Sequence, residues 1–299
     1  MVGIAEGADA VSQWLVTGAA GMLGRDLVAA LEQRGTAVTG LARQDLDVTD
    51  AEAVSTAVER FRPDVVVNCA AWTAVDLAES HEAEAFAANG HGAAHLAAAC
   101  ASVGARMIQL STDYVFGGTS ARPYAETDAV GPVSAYGRTK LAGEQSVLDE
   151  LPEAGYIVRT AWLYGAHGHN FVRTMIRLER TQHEVAVVDD QRGQPTWTRA
   201  VADQIVSLMS SGAPGGIYHA TCSGETTWFG LAREVFSLLG ADPLRVTPTT
   251  TTMAARPAPR PAYSVLGHDG WARAGLPRLD DWRTVLHQAF PALAEAADC

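Results

Sequence analysis

The sequence predicts an α/β protein with a Rossmann-type, doubly wound parallel sheet and a smaller α+β domain toward the C-terminus. Three observations predict this fold: apolar strand runs alternate with amphipathic helices, a glycine-rich turn follows the first run, and the regular alternation stops near residue 165. Such alternation indicates a parallel sheet covered by helices on both faces. We therefore predict a Rossmann domain over 12–165, to which about 198–222 returns, and a second domain built from 166–197 and 223–299.

The elements of the first domain follow one another without long gaps. The predicted strands, in chain order, lie in WLVTGAAGMLG (which also contains the turn and the start of a helix), AVTGLAR, DVVVNCAA, RMIQLSTDYVF and GYIVRTAWLYG. The predicted helices lie in RDLVAALEQRG, in DAEAVSTAVERFRP, in SHEAEAFAANGHGAAHLAAACASVG and around Tyr136. The third of these helices is interrupted near Gly90 and Gly92.

The second part of the chain is less regular. We predict helices in FVRTMIRLERT, TRAVADQIVSLMSSG and TWFGLAREVFSLLG, a short strand in EVAVVDD, and a strand in GIYHATC that returns to the main sheet. The Thr- and Pro-rich segment TPTTTTMAARPAPRPAYSVL is either a disordered linker or an ordered arm. Because an apolar, Trp-containing segment follows it, we favour the ordered arm.

Composition narrows the class of protein. Hydrophobic residues make up 47% and charged residues 19% of the 299 residues, which is typical of a globular enzyme. A net charge of −12 argues against a nucleic-acid partner, because such partners favour basic surfaces. No apolar stretch is long enough for a membrane span, and the acidic N-terminal segment lacks the apolar core of a signal peptide.

The cysteines agree with a reducing compartment. Cys69, Cys100, Cys222 and Cys299 form no CxxC pair and show no zinc-ligand spacing. Four cysteines in a chain of this length do not make a disulfide scaffold. We therefore expect reduced thiols and a cytoplasmic protein.

The turn TGAAGMLG predicts a dinucleotide site. Gly18, Gly21 and Gly24 lie between a strand and a helix, with Met22 and Leu23 between the last two glycines. In such a turn the glycines allow a tight bend, a close approach to a pyrophosphate at the helix N-terminus, and close packing of helix on sheet. A plain tight turn is the alternative.

The end of the second strand indicates which dinucleotide binds. An acidic residue there suits the ribose hydroxyl of NAD, whereas an arginine suits the 2′-phosphate of NADP. The strand ends at Arg43, which favours NADPH and leaves NADH possible. Asp47 and Val48 come next and are expected to border the adenine; Asp47 is equally well explained as the N-cap of the next helix.

Tyr136 and Lys140 are the candidate catalytic pair. Residues four apart share one helix face, and Lys140 is the only lysine among 22 Lys and Arg residues. A nearby ammonium favours the phenolate, so we predict that Lys140 lowers the pKa of Tyr136 and also binds the ribose of the cofactor. A solvated lysine beside an unrelated tyrosine is the alternative.

The glycine turn and the Tyr136–Lys140 pair, together with other motifs, give the chain a resemblance to a known family. It resembles the extended short-chain dehydrogenase/reductases, and within them the dTDP-4-dehydrorhamnose reductases. The resemblance covers the chain after residue 12 and includes relatives that reduce other dTDP-4-keto-6-deoxyhexoses, among them dihydrostreptose synthases. The motifs that carry it, in order, are the glycine turn, NCAAWTAVDLAES, STDYVFGG, the Tyr136–Lys140 pair, RTAWLYG, DDQRGQPTWT and RPAPRPAYSVL.

The resemblance implies NADPH-dependent reduction of the C4 ketone of a dTDP-4-keto-6-deoxyhexose. Tyr136 would then protonate the reduced oxygen, with Thr112 bonded to the substrate carbonyl and Asp113 in contact with the sugar. Dehydratases of this superfamily carry an Asp-Glu pair after the threonine. Here Tyr114 follows Asp113, so dehydration is not expected.

The same resemblance implies further contacts. Ala70, Ala71, Trp72 and Thr73 would line the nicotinamide side of the cofactor. Trp162 would contact the sugar nucleotide, Trp197 would stack on thymine, and Arg256 or Arg260 would meet the pyrophosphate.

Two other functions remain open at this stage: an NAD-dependent sugar-nucleotide epimerase, and a non-catalytic subunit similar to the β-subunit of methionine adenosyltransferase. The histidine pairs His91/His95 and His167/His169 lack a carboxylate in a zinc arrangement, so we expect no metal. We expect a monomer or a homodimer, and no membrane partner.

Overall fold

The computed structural model describes residues 12–298. The N-terminal segment 1–11, expected not to be a signal peptide, and Cys299 lie outside the described residues. None of the helices in the described part combines the length and the apolar character that crossing a membrane requires.

The strands are β1 (Gln13–Thr17), β2 (Ala37–Leu41), β3 (Val65–Asn68), β4 (Arg106–Thr112), β5 (Gly155–Thr160), β6 (Leu163–Tyr164), β7 (Val185–Val188), β8 (Arg192–Gly193), β9 (Thr196–Trp197), β10 (Gly216–His219), β11 (Thr226–Thr227) and β12 (Val246–Thr249). The α-helices are α1 (Met22–Gln33), α2 (Ala51–Phe61), α3 (Val75–Ala78), α4 (Glu82–Phe86), α5 (Gly92–Val103), α6 (Ala135–Glu150), α7 (Phe171–Thr181), α8 (Thr198–Ser210), α9 (Trp228–Leu238), α10 (Asp269–Arg273) and α11 (Trp282–Asp298).

The main sheet confirms the predicted doubly wound α/β fold. Six parallel strands of the described chain follow the order β10-β5-β4-β3-β1-β2. Apolar side chains alternate between the two faces, so that one face packs on α1 and α8 and the other on α2, α5 and α6. The strand β10 pairs in parallel with β5 at the edge of this sheet.

A separate apolar cluster lies in the C-terminal part of the chain. It is formed by α7, α9 and α11 together with β7 and β12, which pair in parallel. Phe236, Leu286 and Leu293 are fully buried in it. The division into two domains with the boundaries given above stays a prediction that this second core supports.

The Thr- and Pro-rich segment is an ordered arm. Its C-terminal end forms bridges from Tyr263 to Arg192 and from Leu266 to Tyr124. Arg260, in its middle, donates from Nη1 and Nη2 to the carboxylate of Asp76 at 2.8 and 2.9 Å. Backbone bonds and this ion pair therefore hold the arm against both parts of the chain.

Two predicted elements are broken. The strand predicted in GYIVRTAWLYG ends at Thr160, because Trp162 has a φ of +47°, and resumes only as the short β6. The helical stretch before β4 contains a π-helical turn over Ala87–His91, near the predicted interruption. Both breaks border the cleft described next, as such irregularities often do.

Candidate active site

A cleft of about 1040 Å³ opens at the carboxyl ends of the parallel strands. Doubly wound sheets bind ligands at this edge. All of the residues predicted to bind the cofactor line it, namely Gly18, Gly21, Met22, Leu23, Gly24, Arg43, Asp47, Val48, Ala70, Ala71, Trp72, Thr73, Tyr136 and Lys140. Thr112, Asp113 and Trp162 line it too.

The glycine turn packs closely against its own backbone and against the loop after β3. Gly18 has a φ of +65°, and a Cβ there would lie 2.5 Å from the backbone nitrogen of Ala70. A Cβ on Gly24 would overlap the carbonyl oxygen of Gly18. The N-cap, Gly21, has no side chain to bond the first amides of α1. Those amides suit the pyrophosphate of a dinucleotide.

The end of the cleft beside β2 carries Arg43, which is exposed, and Asp47. The Asp47 carboxylate accepts from the backbone nitrogen of Thr49 at 3.0 Å and from its hydroxyl at 2.8 Å, and these bonds lower its pKa. The N-cap of α2 is Asp50, whose side chain accepts from the nitrogens of Glu52 and Ala53. The N-cap explanation of Asp47 was therefore wrong.

Tyr136 and Lys140 lie in the first turns of α6. Ser134 caps this helix by accepting from the nitrogen of Gly137 at 3.1 Å. Lys140 is 3% exposed, and its Nζ donates to the carbonyl oxygen of Leu110 at 2.5 Å. Burial lowers the pKa of Lys140 to about 8, against the opposing charge of Glu144.

The prediction that Lys140 lowers the pKa of the Tyr136 phenol was wrong. The pKa of Tyr136 is raised well above its ordinary value, first by burial and then by the charge of Asp113, while a hydrogen bond with Thr112 opposes the rise. The ammonium of Lys140 is directed to Leu110 instead. The groups of the chain therefore keep the phenol protonated, which is the form that a proton donor requires.

Thr112 and Asp113 form the polar wall next to Tyr136. The Thr112 hydroxyl donates to Asp113 Oδ1 at 3.0 Å. The other carboxylate oxygen, Asp113 Oδ2, is buried and has no hydrogen-bond partner among the described residues. Burial raises the pKa of Asp113 to about 6, against hydrogen bonding first from Ser264 and then from Thr112. An unpartnered buried oxygen of this kind suits a ligand hydroxyl.

Two of the predicted substrate contacts lie elsewhere. Trp197 does not line the cleft; it borders a second cavity of about 270 Å³ beside α8 and Trp271. Because Trp197 packs against the second core, no contact in the described chain supports the thymine stacking, which stays a prediction. Arg256 does not line the cleft either: its side chain is 62% exposed and lies 3.7 Å from Asp76.

Sequence reasoning missed Asn89 and Trp228. Asn89, in the π-helical turn, accepts from the nitrogen of Trp72 at 2.9 Å and donates to Thr139 of α6 at 3.0 Å. It joins the loop after β3 to the helix of Tyr136, and the helix interruption was the only signal for it. Trp228 stacks on Trp162 in the wall of the cleft, and nothing in the sequence of α9 distinguishes it from a core residue.

The histidine pairs were considered above as possible metal ligands. Within residues 12–298, no group of three or more His, Cys, Asp or Glu side chains is arranged to hold a metal ion. The rings of His91 and His95 lie 6.5 Å apart by their centroids.

Comparisons with known proteins show the family to which the chain belongs. A family model described as the RmlD substrate binding domain matches residues 12–295. The chain is 59% identical over 289 residues to a dTDP-4-dehydrorhamnose reductase of Streptomyces griseus, covering 95% of each chain. It is 57% identical to a dTDP-4-keto-6-deoxy-D-glucose reductase of Streptomyces niveus, covering 94% of this chain and 97% of that one. A Bacillus anthracis dTDP-4-dehydrorhamnose reductase, solved in complex with NADP, superposes with a TM-score of 0.91 at 36% identity, covering 94% of this chain and 99% of that one.

Proposed function

Because the chain belongs to the RmlD family of dTDP-4-dehydrorhamnose reductases, we propose that it reduces the C4 ketone of a dTDP-4-keto-6-deoxyhexose with NADPH. The product is dTDP-rhamnose or a close analogue such as dTDP-dihydrostreptose. The observation that carries the proposal is the meeting of the glycine turn, Tyr136 and the buried Lys140 in one cleft.

The residues of the cleft fit NADPH. The glycine turn accommodates the pyrophosphate, and Arg43 suits the 2′-phosphate at the adenosine end. Trp72 and its neighbours, held by Asn89, border the nicotinamide. NADPH, when bound, supplies the hydride for C4 of the sugar.

Tyr136 gives its proton to the C4 oxygen as that oxygen gains charge. Its raised pKa keeps the proton on the phenol until a stronger base forms beside it, and an alkoxide is such a base. The hydroxyl of Thr112 holds the same oxygen, and Lys140 orients the ribose. Alignment of ketone and cofactor accounts for a large part of the rate enhancement.

Asp113 binds the sugar. Its Oδ2 is buried without a hydrogen-bond partner among the described residues, and in this proposal it accepts a hydrogen bond from a sugar hydroxyl. Trp162 and Trp228 line the same cleft, and in this proposal the C-terminal part of the chain holds the nucleotide of the substrate. Arg260 lies close to Tyr114 but is paired with Asp76 and, like Arg256, does not line the cleft, so the pyrophosphate contact of either arginine stays a prediction.

One experiment tests the reaction. The protein is incubated with candidate dTDP-4-keto sugars and with NADPH or NADH, cofactor oxidation is followed by absorbance, and the product is identified by NMR. We expect NADPH consumption and a C4 alcohol. A protein that carries bound NAD and epimerises its substrate without net oxidation of NADPH would contradict the proposal, as would a protein inactive with every such ketone. A cytoplasmic location and a monomeric or homodimeric state stay predictions.

A further inference from the structure

Thr160, the last residue of β5, carries a buried hydroxyl on the wall of the cleft. The residue is 6% exposed and lines the cleft. Its Oγ1 has no hydrogen-bond partner among the described residues. Buried hydroxyls in folded proteins are nearly always paired, so an unpaired one on the wall of a binding cleft points to a ligand as its partner.

The register of the sheet gives the direction of this hydroxyl. Thr160 is the Cα partner of Thr112 across the β4–β5 pair. Side chains at paired positions of adjacent strands point to the same face, and successive residues alternate. Arg159, the preceding residue, points to the other side and pairs with Glu144 of α6 at 2.6 Å. Thr160 therefore faces the cleft beside Thr112, one strand further from Arg43.

The strand order indicates which part of the cofactor lies there. From the adenosine end, Arg43 follows β2, Gly18 follows β1, Ala70 follows β3, Thr112 ends β4 and Thr160 ends β5. Strands are about 4.8 Å apart, so β5 lies roughly 19 Å from β2 across the sheet. A dinucleotide with its adenosine phosphate at Arg43 and its pyrophosphate at the glycine turn would extend along this row of strand ends. Its nicotinamide ring would be the part that reaches β5.

We infer that the Thr160 hydroxyl hydrogen-bonds the carboxamide of the nicotinamide ring. The contact restrains rotation of the ring about its bond to the ribose and so sets the ring face that is turned toward the sugar. Thr160 thereby acts as a positioning residue beside Thr112 and Tyr136. The inference rests on the proposed function, because it needs a nicotinamide cofactor in the cleft.

Binding of NADPH to Thr160→Val and Thr160→Ser tests the contact. Valine keeps the volume of the side chain and removes the hydroxyl, whereas serine keeps the hydroxyl. We expect the Kd of NADPH, measured by its fluorescence, to rise roughly threefold to tenfold in Thr160→Val and to stay near the native value in Thr160→Ser. Thr247→Val is the matched control: Thr247 lies on β12, away from the cleft, and its substitution should leave the Kd unchanged.

Cofactor analogues test which atoms are involved. The effect of Thr160→Val should shrink with at least one of two NADPH analogues, in which a thioamide or an acetyl group replaces the carboxamide. An undiminished effect with both analogues would overturn the inference. So would a Thr160→Val protein whose KM for the sugar nucleotide rises while its Kd for NADPH stays native, because the hydroxyl would then serve the sugar.

The native protein separates this inference from the proposed function. If native protein fails to bind NADPH, the proposed function is overturned and the inference with it. If native protein binds NADPH and Thr160→Val binds it equally well, only the inference is overturned.

Discussion

The indole rings of Trp162 and Trp228 lie face to face, with centroids 3.6 Å apart and planes inclined by 8°. Trp162 holds a φ of +47°, a conformation that costs of order 1–3 kcal/mol for a residue with a side chain. Trp228 is fixed in turn by a hydrogen bond from Nε1 to Gln191 at 3.1 Å. The two stacked rings together form an aromatic wall of the cleft.

Trp228→Ala should weaken substrate binding. Aromatic stacking contributes about 0.5–1.5 kcal/mol beyond burial, so loss of the support behind Trp162 should raise the KM for the sugar nucleotide roughly threefold to tenfold. Steady-state kinetics at saturating NADPH measures this. Trp228→Phe keeps a flat ring and should lie near the native value. A native KM in Trp228→Ala would mean that Trp162 needs no support.

Tyr136→Phe should remove most of the turnover. The phenol donates the proton to the reduced oxygen, and a positioned acid typically contributes about 10²–10⁴-fold. The Kd of NADPH, measured by fluorescence, should change little, because the ring and its packing remain. Near-native turnover in this variant would refute the assignment of Tyr136 as the acid.

Asp113→Asn should change how stability depends on pH. The carboxyl has a pKa of about 6 in the folded protein against an ordinary pKa of 3.8, so between these two values the folded state holds more protons than the unfolded state. Its contribution to the free energy of unfolding therefore falls by up to about 3 kcal/mol as the pH rises through this window. Above the window the contribution stays constant.

Denaturant unfolding of both proteins at several pH values measures this difference. The native protein should lose stability relative to Asp113→Asn as the pH rises from about 4 to about 6. Parallel curves for the two proteins would show that Asp113 titrates in its ordinary range.

Arg43→Gln should lower the preference for NADPH over NADH. A charge-assisted contact to the 2′-phosphate is worth about 1.5–3 kcal/mol, so the Kd of NADPH should rise roughly 10-fold to 150-fold while that of NADH stays near native. Fluorescence titration with each cofactor measures this. Arg60→Gln, on the exposed side of α2, is the matched control and should affect neither cofactor. Equal losses for both cofactors would assign Arg43 another role.

Local patterns in the sequence were sufficient to predict the fold of the main sheet and the edge of it that carries the cleft. The alternation of strands and helices, the glycines that only a tight turn explains, and the spacing of Tyr136 and Lys140 are properties of neighbouring residues, and the structure places them at one edge of one sheet. Helix and strand periods indicate which side chains share a face. They do not indicate which distant element will cover that face.

The remaining properties of the site depend on contacts between residues far apart in the chain, which only the tertiary structure shows. The acidity of Tyr136 follows from burial and from the charge of Asp113, 23 positions earlier, and not from the lysine one turn away. The partner of Trp162 comes from α9, the ring of Trp197 turns to another cavity, and the hydroxyl of Thr160 is left unpaired by every neighbouring element of the described chain. Burial and electrostatic energy depend on distances in space, and sequence spacing gives those distances only within a single helix or strand.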